Sequence, residues 1–208
     1  DPTGELSTRK ALSREQVLEN SQSYQQQMGK ILDVTSPKNP VVVKYNSEWL
    51  DRLNFQDVIE IASKFTVGQI IKRKIFQERI KKGKEIYLHE FLYPLLQGYD
   101  SAALNVDVEV GGRDQTFNML IGRDFVKIYK GKEKFVISTT LLINPKTGKK
   151  LMSKSKGDFI ALNDPPREMY GKVMALPDEA VFPCLRLCTN VPLKKIAASL
   201  LAISAPML

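Results

Sequence analysis

The 208 residues include little of what many functional sites are made from: two cysteines (Cys184 and Cys188), one histidine (His89) and one tryptophan (Trp49). That inventory argues against a structural zinc site and against a disulfide framework. It fits a reducing, cytoplasmic compartment. No apolar run reaches the ~18–20 residues of a membrane span, and the Asp-Pro start has no signal-peptide pattern, so a soluble protein without a membrane partner is expected. The apolar stretch from Ile196 to Leu208 reads as an interrupted helix rather than an anchor. Also missing are a Gly-x-x-x-x-Gly-Lys loop, a Gly-x-Gly-x-x-Gly turn and the second histidine that would make His89-Glu90 a metalloprotease helix. There is no internal repeat and no low-complexity segment.

What is present is positive charge. The net charge is +8, from 31 Lys and Arg against 23 Asp and Glu, and the isoelectric point is about 9.4, which suits RNA or a nucleotide as partner. Seven basic residues lie between Lys72 and Lys84 (Lys72, Arg73, Lys74, Arg79, Lys81, Lys82 and Lys84). On their own they read as a solvated helix face.

The length allows one α/β domain and the beginning of another. Ser13 to Leu32 reads as a helix, with Ser13 as N-cap and Gln16 three positions on. Val41 to Tyr45 reads as a short strand, and helices are predicted over 46–65, over 67–80 and from Leu88 to Leu104, the last carrying Pro94 and a kink. Val106, Val108 and Val110 alternate with Asp107 and Glu109, predicting a strand with the valines buried. A helix with Phe117, Leu120, Ile121, Phe125 and Ile128 on one side follows, then a strand from Phe135 to Ile143, a turn over Asn144 to Gly148, and helices from Pro166 onward. Strands alternating with helices point to a parallel sheet of the doubly wound kind.

Three segments carry chemistry. In Tyr93-Pro-Leu-Leu-Gln97-Gly-Tyr-Asp100, positions i, i+4 and i+7 share a helical face and aim a phenol, an amide and a carboxylate toward one point, where they meet either a ligand or one another and the nearby backbone. In Val110-Gly111-Gly112-Arg-Asp114-Gln115, at the C-terminal end of a strand, the glycines allow close approach of a ligand, or the segment is an ordinary turn with Asp114 as N-cap. Lys149-Lys150-Leu151-Met152-Ser153-Lys154-Ser155-Lys-Gly157 is a hydroxyl- and lysine-rich loop that suits a triphosphate.

Met-Ser-Lys-Ser followed by Lys-Gly resembles the second signature of class I aminoacyl-tRNA synthetases. With the other two segments it resembles the tyrosyl-tRNA synthetases, of the bacterial subgroup whose signature is written with those four residues. The resemblance runs from Asp1 to about Glu179 and includes Asn46-Ser-Glu-Trp49-Leu-Asp-Arg-Leu-Asn-Phe55, His89 to Ser101, Asp114-Gln-Thr-Phe-Asn118 and Pro165 to Lys172.

The resemblance implies an incomplete Rossmann-like sheet over residues 1–145 with a helical insertion at about 46–86, the lysine loop at 146–157 and the start of a helical anticodon-side domain at 158–208. It implies L-tyrosine, ATP and tRNA(Tyr) as partners, Mg2+ accompanying ATP, no prosthetic group, and a homodimer to which the stretch around Phe65 to Ile80 contributes. Tyr93, Gln97 and Asp1 would meet the substrate ammonium, Asp100 its phenol, and Gln115 would shape the amino-acid site. Gly112 and Asp114 would lie against the ribose, with Gly111 also at the ATP. Lys154, Ser153, Ser155 and Lys150 would act on the leaving pyrophosphate, with Met152 and Arg9 also at the ATP.

Three departures accompany it. Leu151 stands where the signature usually has its first lysine, Glu5 where a basic residue is usual, and the two-histidine ATP signature would lie before Asp1. A fragment that activates tyrosine feebly or not at all is therefore expected, with His89 a partly buried surface histidine. Two alternatives stay open: the tryptophanyl relative, against which Asp100 argues, and a noncatalytic RNA-binding or scaffolding protein on a synthetase core.

Overall fold

The computed structural model describes residues 12–151 and 159–204, and the chain forms two compact units, 1–140 and 141–208. In the first unit α1 (Arg14–Met28) begins as the sequence predicts. The Ser13 amide donates to Gln16 Oε1 at 3.0 Å and the Gln16 amide to Ser13 Oγ at 3.3 Å, a reciprocal cap.

The expected strand at Val41 to Tyr45 is irregular backbone without a strand partner; Val42 is 70% exposed. A β-branched run becomes a strand only where a ladder receives it. The two long helices expected over 46–80 are four short ones, α2 (Ser47–Leu50), α3 (Phe55–Ser63), α4 (Val67–Ile70) and α5 (Lys74–Lys81). Asn54 with Asp57, and Thr66 with Gln69, form capping boxes that restart the helix, so local caps override a continuous apolar period.

Helix α6 (Leu88–Ala103) continues through Pro94. Then come β1 (Val108–Gly112), a short 3-10 turn (Arg113–Gln115), α7 (Thr116–Lys130) and β2 (Phe135–Thr139). Gly131 ends α7 at φ 65°, a left-handed cap that glycine adopts without a Cβ penalty. Strands β1 and β2 pair in parallel, Val108 opposite Phe135 through Gly112 opposite Thr139, so β1–α7–β2 is a crossover unit of the expected α/β kind.

The core is shared by α3 to α7: Ile61, Ile70, Phe76, Leu95, Ala102, Ile121, Phe125 and Val126. Phe65 meets Phe125 edge-on at 4.9 Å and Phe76 stacks on Phe91 at 4.9 Å. Helices α6 and α7 close on Gly98, where an added Cβ would lie 2.6 Å from Ile121 Cγ2 and 3.0 Å from Phe125 Cδ2.

Several faces turn out differently from the periodicity. Val108 and Val110 are exposed, while Glu109 points inward to Lys134, which is fully buried and also bonds Ser101 Oγ and the Met119 carbonyl, each at 3.0 Å. An ion pair fixes the register that hydrophobicity alone would set the other way. The buried side of α7 is Asn118, Met119, Ile121, Gly122, Phe125 and Val126, leaving Ile128 exposed. Strand β2 ends at Thr139 rather than Ile143, where β1 ends as its partner.

In the basic stretch, Arg79 is buried and its Nη1 reaches both Glu90 carboxylate oxygens at 2.7 Å. Arg73 is buried too, over the Phe76 ring at 5.7 Å, so only part of this face is solvated. His89 is exposed beside the Tyr87 ring rather than partly buried.

The second unit contains the turn after Ile143, and then α8 (Pro166–Met174), α9 (Asp178–Cys188) and α10 (Leu193–Ser204). Asn144 Oδ1 accepts from the amides of Lys146 and Thr147 at 2.9 and 3.0 Å, and Gly148 at φ 65° completes the predicted turn. No helix is long and apolar enough to cross a membrane among the described residues.

Candidate active site

Helix α6 turns its Tyr93, Gln97, Asp100 face toward α2 on one side and α7 on the other. The Asp100 carboxylate is half-buried. Its Oδ1 accepts the Trp49 indole N–H at 2.8 Å, and its Oδ2 a longer contact from Asn46 Nδ2 at 3.5 Å. Burial pushes the Asp100 carboxyl above the usual carboxylate range, while the Trp49 and Asn46 donors pull it back. Neutral donors thus stand where a cation would neutralise the group, and no ion pair to Asp100 forms among the described residues. Such a carboxylate keeps acceptor capacity.

At the centre of the face, Gln97 Oε1 accepts from Asn118 Nδ2 at 2.6 Å. The same Nδ2 donates to Gln115 Oε1 at 3.2 Å, which joins the α6 face to the turn after β1. Asn118 Oδ1 is buried without a hydrogen-bond partner. Tyr93 is half-buried at the far end of the face. Near it lies Arg73, whose guanidinium is held below its usual range by burial, with the Tyr93 and Glu90 charges opposing that, and whose Nη1 has no hydrogen-bond partner.

Gly112 enters the turn with φ -64° and ψ 150°, and Thr116 Oγ1 donates to the Arg113 carbonyl at 2.8 Å. Asp114 is exposed within the 3-10 turn, and Gln115, not Asp114, occupies the N-cap position of α7. The space beside Gly111 is taken by Met119 Sδ, which an added Cβ would approach to 2.9 Å. Packing therefore explains Gly111 without a ligand.

Tyr93, Gln97, Asp100 and Gln115 are thus brought together, with Gly111, Gly112 and Asp114 on the adjoining turn. Lys150 is exposed in the second unit, where Ile143 and Lys150 form an antiparallel bridge and the Leu151 amide donates to the Leu142 carbonyl at 2.9 Å. Leu151 accordingly serves the hairpin closure. Asp1, Arg9, Met152, Ser153, Lys154 and Ser155 lie outside the described residues.

Sequence reasoning gave no role to Asn46, Trp49 and Asn118. The available signal was slight: Asn46 and Trp49 stand at helical spacing, i and i+3, in a polar segment, and Asn118 interrupts an apolar helix face. Three of the four partner contacts reach 21 to 54 residues away, which no local pattern reveals; only Gln115 is near Asn118 in sequence.

Comparison with known proteins bears on the family and the fold. Tyrosine–tRNA ligases of Thermotoga maritima and Carboxydothermus hydrogenoformans are 49% and 47% identical to this chain over 196 residues. Those matches cover 94% of this chain and 48% and 46% of the relatives, so the chain spans about half the length of the curated relatives it matches. A C-terminally truncated Aspergillus nidulans mitochondrial tyrosyl-tRNA synthetase has the same fold, with a TM-score of 0.71 at 22% identity over 95% of this chain and 61% of that one. Archaeoglobus fulgidus tyrosyl-tRNA synthetase complexed with L-tyrosine gives 0.59 at 24% identity, over 84% and 55%. These two likenesses concern the fold, a partial Rossmann-like sheet with helices. The family model for class I tRNA synthetases of the W and Y group matches residues 1–204. On that match, the chain belongs to the class I tRNA synthetases of the tryptophan and tyrosine group.

Proposed function

We propose that this chain carries the tyrosine-recognising part of a tyrosine–tRNA ligase. The observation that carries the choice of tyrosine is Asp100: a half-buried carboxylate held by the Trp49 and Asn46 donors and facing no cation among the described residues. A phenol offers the missing donor. An indole N–H is a donor too, as Trp49 shows, so Asp100 sets tyrosine apart from phenylalanine, while the likeness to tyrosine–tRNA ligases favours tyrosine over tryptophan. Leaving a buried acceptor unpaired costs ~1–3 kcal/mol, or about ten- to a hundredfold in affinity, so the site discriminates through what the wrong side chain fails to satisfy.

The reaction is attack of the tyrosine carboxylate on the α-phosphate of ATP, giving tyrosyl-adenylate and pyrophosphate, and then transfer of tyrosine to tRNA(Tyr). Tyr93 and Gln97 would take the ammonium with Asp1, Gln115 would border the carboxylate, and Gly112 and Asp114 would meet the ribose. Lys154, Ser153, Ser155, Met152, Lys150 and Arg9 would meet the phosphates, and ATP would bring Mg2+ as its counter-ion. Phosphoryl chemistry of this kind asks for placement and charge more than for covalent help.

The protein would act in the cytoplasm as a homodimer. Val67 at 68% exposure and Ile80 at 48% are apolar side chains on the stretch that would contribute to the interface.

Calorimetric titration with L-tyrosine and L-tryptophan tests the assignment. Saturable binding of tyrosine alone is the expected result; equal or preferential binding of tryptophan overturns it.

A further inference from the structure

Asn118 is 1% exposed and sits in the first turn of α7, between the two glutamines of the site. Both of its hydrogen bonds are made by Nδ2, to Gln97 Oε1 at 2.6 Å and to Gln115 Oε1 at 3.2 Å. Its Oδ1 is buried and unpartnered. A buried amide kept only for stability would use its acceptor as well as its donors, because an orphan buried acceptor is uncommon and costly. Here the donors are committed and the acceptor is sacrificed.

That asymmetry has a consequence for what the site presents. A carboxamide is planar, with oxygen on one side and nitrogen on the other. With Oε1 turned to Asn118, each glutamine turns its Nε2 away, and each Oε1 keeps one of its two lone pairs. An α-amino acid needs both polarities a few ångströms apart, an acceptor for its ammonium and a donor for its carboxylate. Without a fixed neighbour, a glutamine amide rotates about its last bond and exchanges donor for acceptor at little cost.

We infer that Asn118 is a positioning residue for the amino-acid site: by donating to both glutamine carbonyls it fixes the amide planes of Gln97 and Gln115. Gln97 Oε1 then has one lone pair left for the ammonium, beside the Tyr93 hydroxyl, and Gln115 Nε2 is held ready for the carboxylate. The inference rests on the tyrosine reading above and adds a residue that need not touch the substrate.

The opposite end of the site supplies an internal control. Trp49 is the chain's one tryptophan, and its indole N–H is bonded to Asp100, not to the amide cluster. Two variants of the full 208-residue chain are compared with the unsubstituted protein: Asn118→Asp, which keeps the shape and removes both donors, and Asn118→Ala. L-tyrosine affinity is measured by calorimetry, and the Trp49 indole N–H and the glutamine side-chain amides are followed by NMR.

The expected result is a loss of about tenfold or more in L-tyrosine affinity in both variants, as for losing one hydrogen-bonded arrangement. The Gln97 and Gln115 amide signals shift while the Trp49 signal stays in place. Unchanged affinity, or a loss accompanied by displacement of the Trp49 signal, overturns the inference, since the first denies any role and the second marks Asn118 as general packing. If the unsubstituted chain itself fails to bind L-tyrosine, the tyrosine reading falls and takes this one with it; equal binding by all three proteins removes the role of Asn118 alone.

Discussion

Helix α6 carries two sets of polar residues whose partners are used to different degrees. Glu90 and Ser101 belong to the first. Glu90 takes the Arg79 guanidinium on both oxygens and the Tyr87 amide at 3.1 Å, and Ser101 lies between Lys134 and Glu109. Burial would raise the Glu90 carboxyl, but the Tyr87 amide and Arg79 outweigh it and hold the group below the usual carboxylate range. Gln97 and Asp100 belong to the second set. Neutral donors hold them, no cation closes the charge among the described residues, and Asn118 Oδ1 nearby is left over. Closed ionic clusters bind the helices and strands to one another. The open neutral cluster keeps acceptors in hand, and the proposed ligand site rests on that difference more than on burial.

The contrast can be broken most forcefully on the closed side. Lys134→Met leaves the inward Glu109 carboxylate without its cation and is expected to cost ~3–5 kcal/mol in urea unfolding, with Glu109→Gln added to it recovering part of the loss. Recovery fails if the cluster is only a packing element. Gly98→Val tests the neighbouring contact: its Cβ meets Ile121 and Phe125, so α6 and α7 separate, at a cost of ~1–3 kcal/mol or more in the same measurement.

On the open side the order reverses, with binding suffering and stability spared. Asp100→Asn is expected to weaken L-tyrosine binding about ten- to a hundredfold, while the unfolding midpoint stays level or rises because a half-buried charge is removed. A large loss of stability would place Asp100 among the structural residues.

The smallest effect is a difference in sign with pH. Glu90, lowered on folding, contributes stability that is present at neutral pH and lost as pH falls through its folded value. Asp100, raised on folding, binds its proton more tightly in the folded state, so its contribution declines as pH rises from the ordinary carboxylate value through the folded one. Stability measured from acid to neutral pH should therefore climb more steeply in Asp100→Asn than in the unsubstituted chain, and less steeply in Glu90→Gln. Parallel curves would contradict both assignments.

Much of this was legible in the sequence because it is local. The i, i+4, i+7 spacing of Tyr93, Gln97 and Asp100 placed them on one face, and the alternation of β-branched and helical runs gave the parallel pair. What was not legible is non-local. Asp100 acquires Trp49 from 51 residues away and Glu109 acquires Lys134 from 25 residues away, and the second pairing turns β1 so that the valines face outward. The strand expected at 41–45 shows the converse, a good local pattern with no ladder to join. The break between α2 and α3 was readable in principle, since Asn54 and Asp57 have capping-box spacing, but the continuous apolar period concealed it.

The most direct test of the open-cluster account is a paired titration of the 208-residue chain with L-tyrosine and L-phenylalanine, which differ by the one hydroxyl from which Asp100 is proposed to accept a hydrogen bond. Saturable tyrosine binding with phenylalanine weaker by tenfold or more is the predicted result, and equal affinity for the two would contradict it.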